Sequence, residues 1–386
     1  MSKMAKKLMV IAGEASGDLH ASKVICALKR LNPEIEIFGV GGEKMKRCGV
    51  DLIYDISEIA VIGFVDVFKG YVKFIELKDL CESALIERKP DGVLLVDYPG
   101  FNLRFARFAK KNGIKVFYYI APQVWAWGRG RVKVLKKFVD KLFVIFKFEE
   151  SFFKSYGVEA EFVGHPLLED IAKVENLDVD FLLSKYGIEP NREVVSFFPG
   201  SRIGEIRLMF NTMLEVGKIL KEKFGVEVVF SRAKTICEDE FFKIGGEDVK
   251  FFKFVDEPHA LLKMSKVAVV KSGTTSLEAG ILGIPMVVCY KTSALNYFIG
   301  KLLVKKDVIE SIALPNIVLG KEVVPELIQN DFTVQRVFEL VKRYLEDEKF
   351  FSEVRGELLK IKEILKFDFG YKTTSEIVAE KILSML

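Results

Sequence analysis

Two residues in this chain combine a reactive side chain with a setting suited to group transfer. Asp97 follows the apolar run Gly92 to Val96 and precedes Tyr98-Pro99-Gly100-Phe101-Asn102. A carboxylate at the carboxyl end of a buried strand faces the place where doubly wound sheets bind ligands, and there it can take a proton from a hydroxyl nucleophile. The same position also suits an Asp that caps the helix starting near Asn102 or orders the turn. Arg202 lies in Pro199-Gly200-Ser201-Arg202, after the apolar run Val194 to Phe198. Gly200 permits close backbone approach, Ser201 can cap, and the guanidinium offers paired donors to a phosphate.

Other loops have mixed readings. Gly13-Glu14-Ala15-Ser16-Gly17-Asp18 follows the first apolar run. Its G-x-x-x-G spacing fits neither a dinucleotide fingerprint nor a Walker loop, so it reads as a binding loop or as a simple strand-to-helix turn. Ser272-Gly273-Thr274-Thr275-Ser276-Leu277-Glu278 enters a helix. Hydroxyls and helix-start amides there suit a pyrophosphate, and Glu278 suits the hydroxyls of a ribose, while Thr275 with Glu278 also spells a capping box. Trp125 and Trp127, the only tryptophans, read as sugar- or acyl-facing rings or as core. His165, in Gly164-His165-Pro166, reads as a linker residue near the cleft.

The elements that must carry these loops follow from hydropathy. Strands are expected at Leu8 to Ala12, Ile35 to Val40, Gly92 to Val96, Val116 to Ile120 and Leu142 to Ile145. The pattern restarts at Val194 to Phe198, Val226 to Phe230, Lys250 to Phe254, Val267 to Val270 and Met286 to Cys289. Uninterrupted apolar strands joined by amphipathic helices mean parallel sheets covered on both faces. The fold class is therefore α/β, with two doubly wound Rossmann-like domains facing a cleft and a helical C-terminal tail. The expected boundaries are 1–170, 171–345 and 346–386, with a linker at Ala172 to Asp180.

Composition narrows the classes. The chain has 386 residues, 29% charged and 50% apolar, which excludes a disordered polymer. A net charge of +4 without a basic run argues against a nucleic-acid partner. Five scattered cysteines suggest a reducing compartment with neither disulfides nor a metal site. No signal peptide or membrane-spanning segment is expected, so the reading is cytoplasmic. The stretch Ile59 to Leu77 is apolar around most of a helix, through Val61, Ile62, Phe64, Val65 and Phe68. It suits a core, a bilayer surface or an acyl-chain site.

Taken in order, several segments resemble the lipid-A-disaccharide synthase family: Ile11 to Asp18, Ala60-Val61-Ile62-Gly63, Asp97 to Asn102, Val124-Trp125-Ala126-Trp127, Gly164-His165-Pro166-Leu167, Pro199 to Arg202, Ser272-Gly273-Thr274 and Leu314-Pro315-Asn316. The resemblance implies a GT-B glycosyltransferase that joins UDP-2,3-diacylglucosamine to 2,3-diacylglucosamine 1-phosphate (lipid X). Its products are a β-1,6 disaccharide 1-phosphate and UDP, formed in lipid A biosynthesis for lipopolysaccharide. It implies an acceptor- and lipid-binding first domain with Gly13, Glu14, Ser16, Gly17, Asn102, Trp125, Trp127 and His165. It also implies a UDP-sugar-binding second domain with Gly200, Ser201, Arg202, Ser272, Gly273, Thr274, Thr275, Glu278 and Asn316. Asp97 takes the family's conserved Asp and Arg202 its conserved Arg. No cofactor or metal is implied. Peripheral contact with the inner membrane is, and a homodimer is compatible. Lys147-Phe148-Glu149 departs from the family's common Pro-Phe-Glu and is left out of the site. Another UDP-sugar enzyme, a nicotinamide or flavin oxidoreductase, and a non-catalytic nucleotide-binding protein stay open as alternatives.

Overall fold

A computed structural model describes residues 5–57, 67–126, 128–293, 297, 311–367 and 372–386, with the side chains of 67–72 left out. The chain divides into two compact units, Met1–Pro166 with Phe367–Leu386, and Leu167–Lys366.

The first unit holds a seven-stranded sheet of β1 (Lys7–Ala12), β2 (Glu36–Gly41), β3 (Asp51–Asp55), β4 (Gly92–Val96), β5 (Lys115–Tyr119), β6 (Lys141–Val144) and β7 (Ala160–Phe162). Its order is β3-β2-β1-β4-β5-β6-β7, and every pairing is parallel. Alternation along each strand makes two cores from one apolar run. Met9, Ile11, Val93 and Leu95 join one cluster, while Leu8, Val10, Leu94 and Val96 join the other.

The second unit repeats the plan with β8 (Val194–Phe198), β9 (Glu227–Ser231), β10 (Lys253–Val255), β11 (Ser265–Lys271), β12 (Met286–Tyr290) and β13 (Glu326–Ile328). The order is β10-β9-β8-β11-β12-β13, again parallel. The helix Ile203–Phe224 covers the sheet through Ile206, Met209, Phe210, Met213 and Leu220, which recur at helical spacing and are all buried. Gly225, at φ 64°, ends it in a left-handed cap.

Three strands escaped the hydropathy reading: β3, β7 and β13. Each lies at a sheet edge and has one strand neighbour, so its sequence need not be continuously apolar. The expected linker at Ala172 to Asp180 is instead mostly helical, as Leu167–Glu175 buries Leu167 and Ile171 and a second helix, Val179–Lys185, starts on an Asp178 cap. The tail also divides. Helix Glu348–Leu365 belongs to the second unit, whereas Thr374–Met385 belongs to the first. Ile377, Val378, Ala379 and Ile382 of that last helix enter the same cluster as Val24, Ile25 and Leu28. Full burial of each large apolar side chain there is worth about 1.5–3 kcal/mol. A cap from Thr373 with Glu376 starts the helix, and Arg30 pairs with Glu376 at 3.2 Å.

Cys26 and Cys48 form a disulfide, which corrects the expectation of thiols alone. The pair lies 22 positions apart in sequence, and the fold brings its Cα atoms within 5.5 Å.

Asp18, inside the first loop motif, has a structural task. Its buried carboxylate accepts from the backbone of Gly42 at 2.8 Å, Lys44 at 3.2 Å and Met45 at 3.0 Å. It thereby caps the short helix Glu43–Arg47 from a neighbouring helix. Asp18→Ala leaves those N–H groups buried without an acceptor, so it should lower unfolding free energy by about 1–3 kcal/mol. Chemical denaturation measures this, and an unchanged midpoint would refute the capping role.

Candidate functional site

In the first unit the strand order reverses between β1 and β4, and the loops leaving these strands carry Gly13 to Asp18 and Asp97. Ligand crevices of doubly wound sheets form at such a reversal. The Asp97 turn is unusual. Asp97 and Tyr98 both have φ 47°, the left-handed region that side chains with a Cβ avoid at about 1–2 kcal/mol each. Hydrogen bonds hold them there. The Asp97 N–H donates to Tyr119 O at 3.0 Å. The Asp97 carbonyl accepts from the Tyr118 hydroxyl and the Asn102 amide, both at 2.7 Å. Asn102 also donates to Val96 O at 3.2 Å and is fully buried. Its amide N–H groups therefore position the turn from beneath. Tyr98 lies over Gly13, where an added Cβ would fall 2.2 Å from the ring. That contact is why this loop needs a glycine.

The Asp97 side chain caps nothing, because helix Pro99–Lys111 has no side-chain cap. Its carboxyl is pushed up to about 6, first by burial and then by the Glu14 carboxylate, against a bond from the Tyr98 backbone. Glu14 and Ser16 are exposed and Gly17 is buried at the start of helix Ala15–Leu31. The structure thus brings Gly13, Glu14 and Asp97 together at one end of the sheet, with Ser16 one turn further along.

Trp125 and His165 occupy a second cluster in this unit. The Trp125 indole N–H donates to Glu149 at 3.0 Å, and Trp125 meets Phe148 edge-on at 5.2 Å. The other Glu149 oxygen accepts from Ile145 N at 3.2 Å and Phe146 N at 3.1 Å. His165 is buried against the Phe146 ring at 5.1 Å. Burial, then His20, lowers its pKa to about 3, so its imidazole is neutral. Both side chains are therefore packed within this unit, Trp125 against Phe148 and His165 against Phe146. Trp127 lies outside the described residues.

In the second unit the order reverses between β8 and β11, and these strands lead into Gly200-Ser201-Arg202 and Ser272-Gly273-Thr274. Arg202 is the first residue before helix Ile203–Phe224, and its side chain is 75% exposed, so its donors are available to a ligand. Glu205 comes within 3.9 Å of it and accepts from Ser201 N at 3.3 Å. Helix Thr274–Ile281 starts from Gly273 with no side-chain cap, so the expected Thr275–Glu278 capping box is absent. Glu278 pairs instead with His259 at 3.1 Å, which raises the histidine's pKa chiefly through that bond. Thr274 is exposed and Thr275 half-buried. The Ser272 hydroxyl donates to Ile312 O at 2.8 Å. Asn316 is buried and spent on its own loop: its amide donates to Val324 O and Glu326, both at 2.9 Å, and its oxygen accepts from Val323 and Val324 N.

Val61, Ile62, Phe64 and Val65 lie outside the described residues, as does the Phe68 side chain. Among the described residues no helix is long and apolar enough to cross a membrane, and no group of His, Cys, Asp or Glu could hold a metal ion.

Sequence reasoning passed over Glu149, Glu205 and Lys271. Glu205, three residues beyond the Arg of one recognised loop, and Lys271, directly before Ser272 of another, carried positional hints. Glu149 is 1% exposed, and burial pushes its carboxyl up to about 7 against the bonds from Phe146, Trp125 and Ile145. A raised carboxyl pKa means that the folded state holds the proton more tightly than the unfolded one. Its contribution to stability is thus full below pH 4.5 and lost as pH rises through about 7. Because the indole is bonded to this carboxyl, tryptophan emission should titrate with a midpoint near 7, and Glu149→Gln should abolish that transition. A wild-type spectrum flat between pH 5 and 9, about two units either side of that midpoint, would count against it.

The family model described as lipid-A-disaccharide synthetase matches residues 8–377. The lipid-A-disaccharide synthase of Geobacter sulfurreducens is 38% identical over 384 residues, covering 98% of this chain and 97% of the relative. That of Coxiella burnetii is 31% identical over 380 residues, covering 98% and 99%. Among solved structures, UDP-GlcNAc 2-epimerase from Neisseria meningitidis bound to UDP-GlcNAc aligns at TM-score 0.61 and 14% identity, over 98% of this chain and 100% of that one. The calicheamicin glycosyltransferase CalG4 aligns at TM-score 0.60 and 14% identity, over 99% and 98%. These likenesses show the fold, which is of the GT-B type. The family model and the relatives together place this chain in the lipid-A-disaccharide synthase family, so it is a glycosyltransferase of lipid A biosynthesis.

Proposed function

We propose that the chain transfers a 2,3-diacylglucosaminyl group from UDP to the 6-hydroxyl of 2,3-diacylglucosamine 1-phosphate. Asp97 takes the hydroxyl proton as the oxygen attacks the anomeric carbon from the face opposite UDP. The new bond is the β-1,6 linkage, the bond to UDP breaks, and UDP leaves with the electron pair. The observation that supports this best is Asp97 itself: a half-buried carboxyl at the strand-order reversal, beside Glu14, with a pKa of about 6. Such a group is ionised at neutral pH yet basic enough to accept a proton in the transition state. Arg202 meets the charge that develops on the departing diphosphate, aided by the amides at the start of helix Thr274–Ile281. Glu278 and the hydroxyls of Thr274 and Thr275 serve the rest of the nucleotide sugar.

The defining experiment is UDP release by purified protein given both lipids, with and without EDTA. Release that needs both lipids and survives EDTA supports the reading. Release or epimerisation with UDP-N-acetylglucosamine alone would keep the fold and overturn the substrates. The rate should rise with pH through about 6 and level off, since the base must be unprotonated. Asp97→Asn should lose at least ~100-fold in rate while UDP still binds. Near-normal turnover in that variant removes Asp97 from the role.

Arg202→Ala should raise the Kd for UDP about tenfold or more, the loss of a charge-assisted contact. Calorimetric titration that finds the Kd unchanged would sink the clamp.

We also propose peripheral contact with the cytoplasmic face of the inner membrane through the apolar stretch containing Phe64. Both substrates carry acyl chains, and the chain has 33 Phe, an apolar surplus suited to a lipid surface. Phe64→Glu should reduce flotation with anionic vesicles while the melting temperature holds. Undiminished flotation would refute this assignment.

A further inference from the structure

We propose that Lys271 is a further donor-binding residue whose ammonium contacts the diphosphate of the nucleotide and whose position is set by Glu205. The proposal rests on the reading of the second unit as the nucleotide-sugar site.

Lys271 is the last residue of β11, which lies beside β8 where the strand order reverses. Its side chain therefore starts at the carboxyl end of the sheet, where ligands of this architecture bind. The Lys271 ammonium lies 3.1 Å from Glu205 and 3.9 Å from where a Cβ on Gly273 would stand. The other Glu205 oxygen accepts from Ser201 N at 3.3 Å and would be 2.6 Å from a Cβ on Gly200. One ion pair thus joins the two loops that were assigned to the donor separately, and it covers the two glycines that leave room there. Tyr290 supports the ammonium from its ring face, 5.9 Å from its centroid.

Neither member of the pair is deeply buried: the Lys271 side chain is 23% exposed and that of Glu205 21%. Desolvation offsets much of the attraction in a partly covered ion pair, so the arrangement is better explained by what it presents. Together with Arg202 it offers two cations and the Ser201 N–H around one carboxylate. A diphosphate is an anion that can take up the same donors with more charge, and charge-assisted bonds to it are stronger than those of neutral groups. A uridine lacks that charge and should be indifferent to Lys271.

Calorimetric titration of the full chain with UDP, UMP and uridine tests this. Lys271→Met should weaken UDP about tenfold or more, weaken UMP less, and leave uridine unchanged. Lys271→Arg should restore most of the UDP affinity, and melting temperatures should confirm that both variants fold. An unchanged UDP Kd in Lys271→Met, with UDP bound normally by the wild type, overturns this inference alone. Equal weakening of UDP and uridine also overturns it, since that reports a purely structural role. Absence of UDP binding to the wild type overturns the nucleotide-sugar reading and this inference with it.

Discussion

Strand order reverses once in each sheet, between β1 and β4 in the first unit and between β8 and β11 in the second, and the chemistry of the protein depends on that constraint. Crossover helices on the two sides of a reversal run to opposite faces of the sheet. The loops at the carboxyl ends therefore separate and leave a crevice. Every candidate residue for transfer follows from this. Gly13, Glu14 and Asp97 leave β1 and β4, whereas Ser201, Arg202 and Lys271 stand at the ends of β8 and β11.

In the first unit the carboxylate proposed as the base depends on a strained turn. Asp97 and Tyr98 are both left-handed, and so is Ile120 at the end of β5, with φ 62°. Such conformations persist only where the surroundings over-determine them. Here a buried amide, a phenol and a sheet hydrogen bond all close on the Asp97 backbone, while its carboxyl keeps a bond from the Tyr98 backbone. Burial together with Glu14 then sets its basicity. One local geometry thus sets both the placement of this half-buried carboxyl and its proton affinity. In the second unit the carboxylate of Glu205 is placed differently, with Lys271, Arg202 and the Ser201 N–H gathered around it.

The last helix shows how distant chain segments complete a core. Thr374–Met385 lies against helix Ala15–Leu31, and Gly164, at φ 84°, packs close to Thr374 and Phe367. The first unit is therefore closed by residues made more than 350 positions after its first strand. Pairs this far apart in sequence cost more loop entropy than local ones, and the apolar face of Ile377, Val378 and Ile382 offsets that cost.

The buried strands were legible from composition alone, because a parallel strand covered on both faces must be continuously apolar, as Gly92 to Val96 and Val194 to Phe198 are. The loops after them were legible for the same reason: a strand end, a glycine and a polar residue coincide there. The edge strands β3, β7 and β13, the helical start of the second unit and the disulfide were not, since partial exposure or distance in sequence removes the periodic signal. Residue roles divided similarly. Asp97 and Arg202 stood just beyond strand ends that any doubly wound sheet makes available, so type and position were enough to propose them. Asn102, Asn316, Trp125 and His165 shared the motifs, and the folded chain buries all four. Glu149 and Lys271 gain meaning only from partners brought near by folding, Trp125 for one and Glu205 for the other. Sequence therefore determined which loops leave the sheets and which reactive groups they carry. Tertiary structure decided which of those groups face outward, because burial and hydrogen bonding are properties of neighbours that only the folded chain assembles.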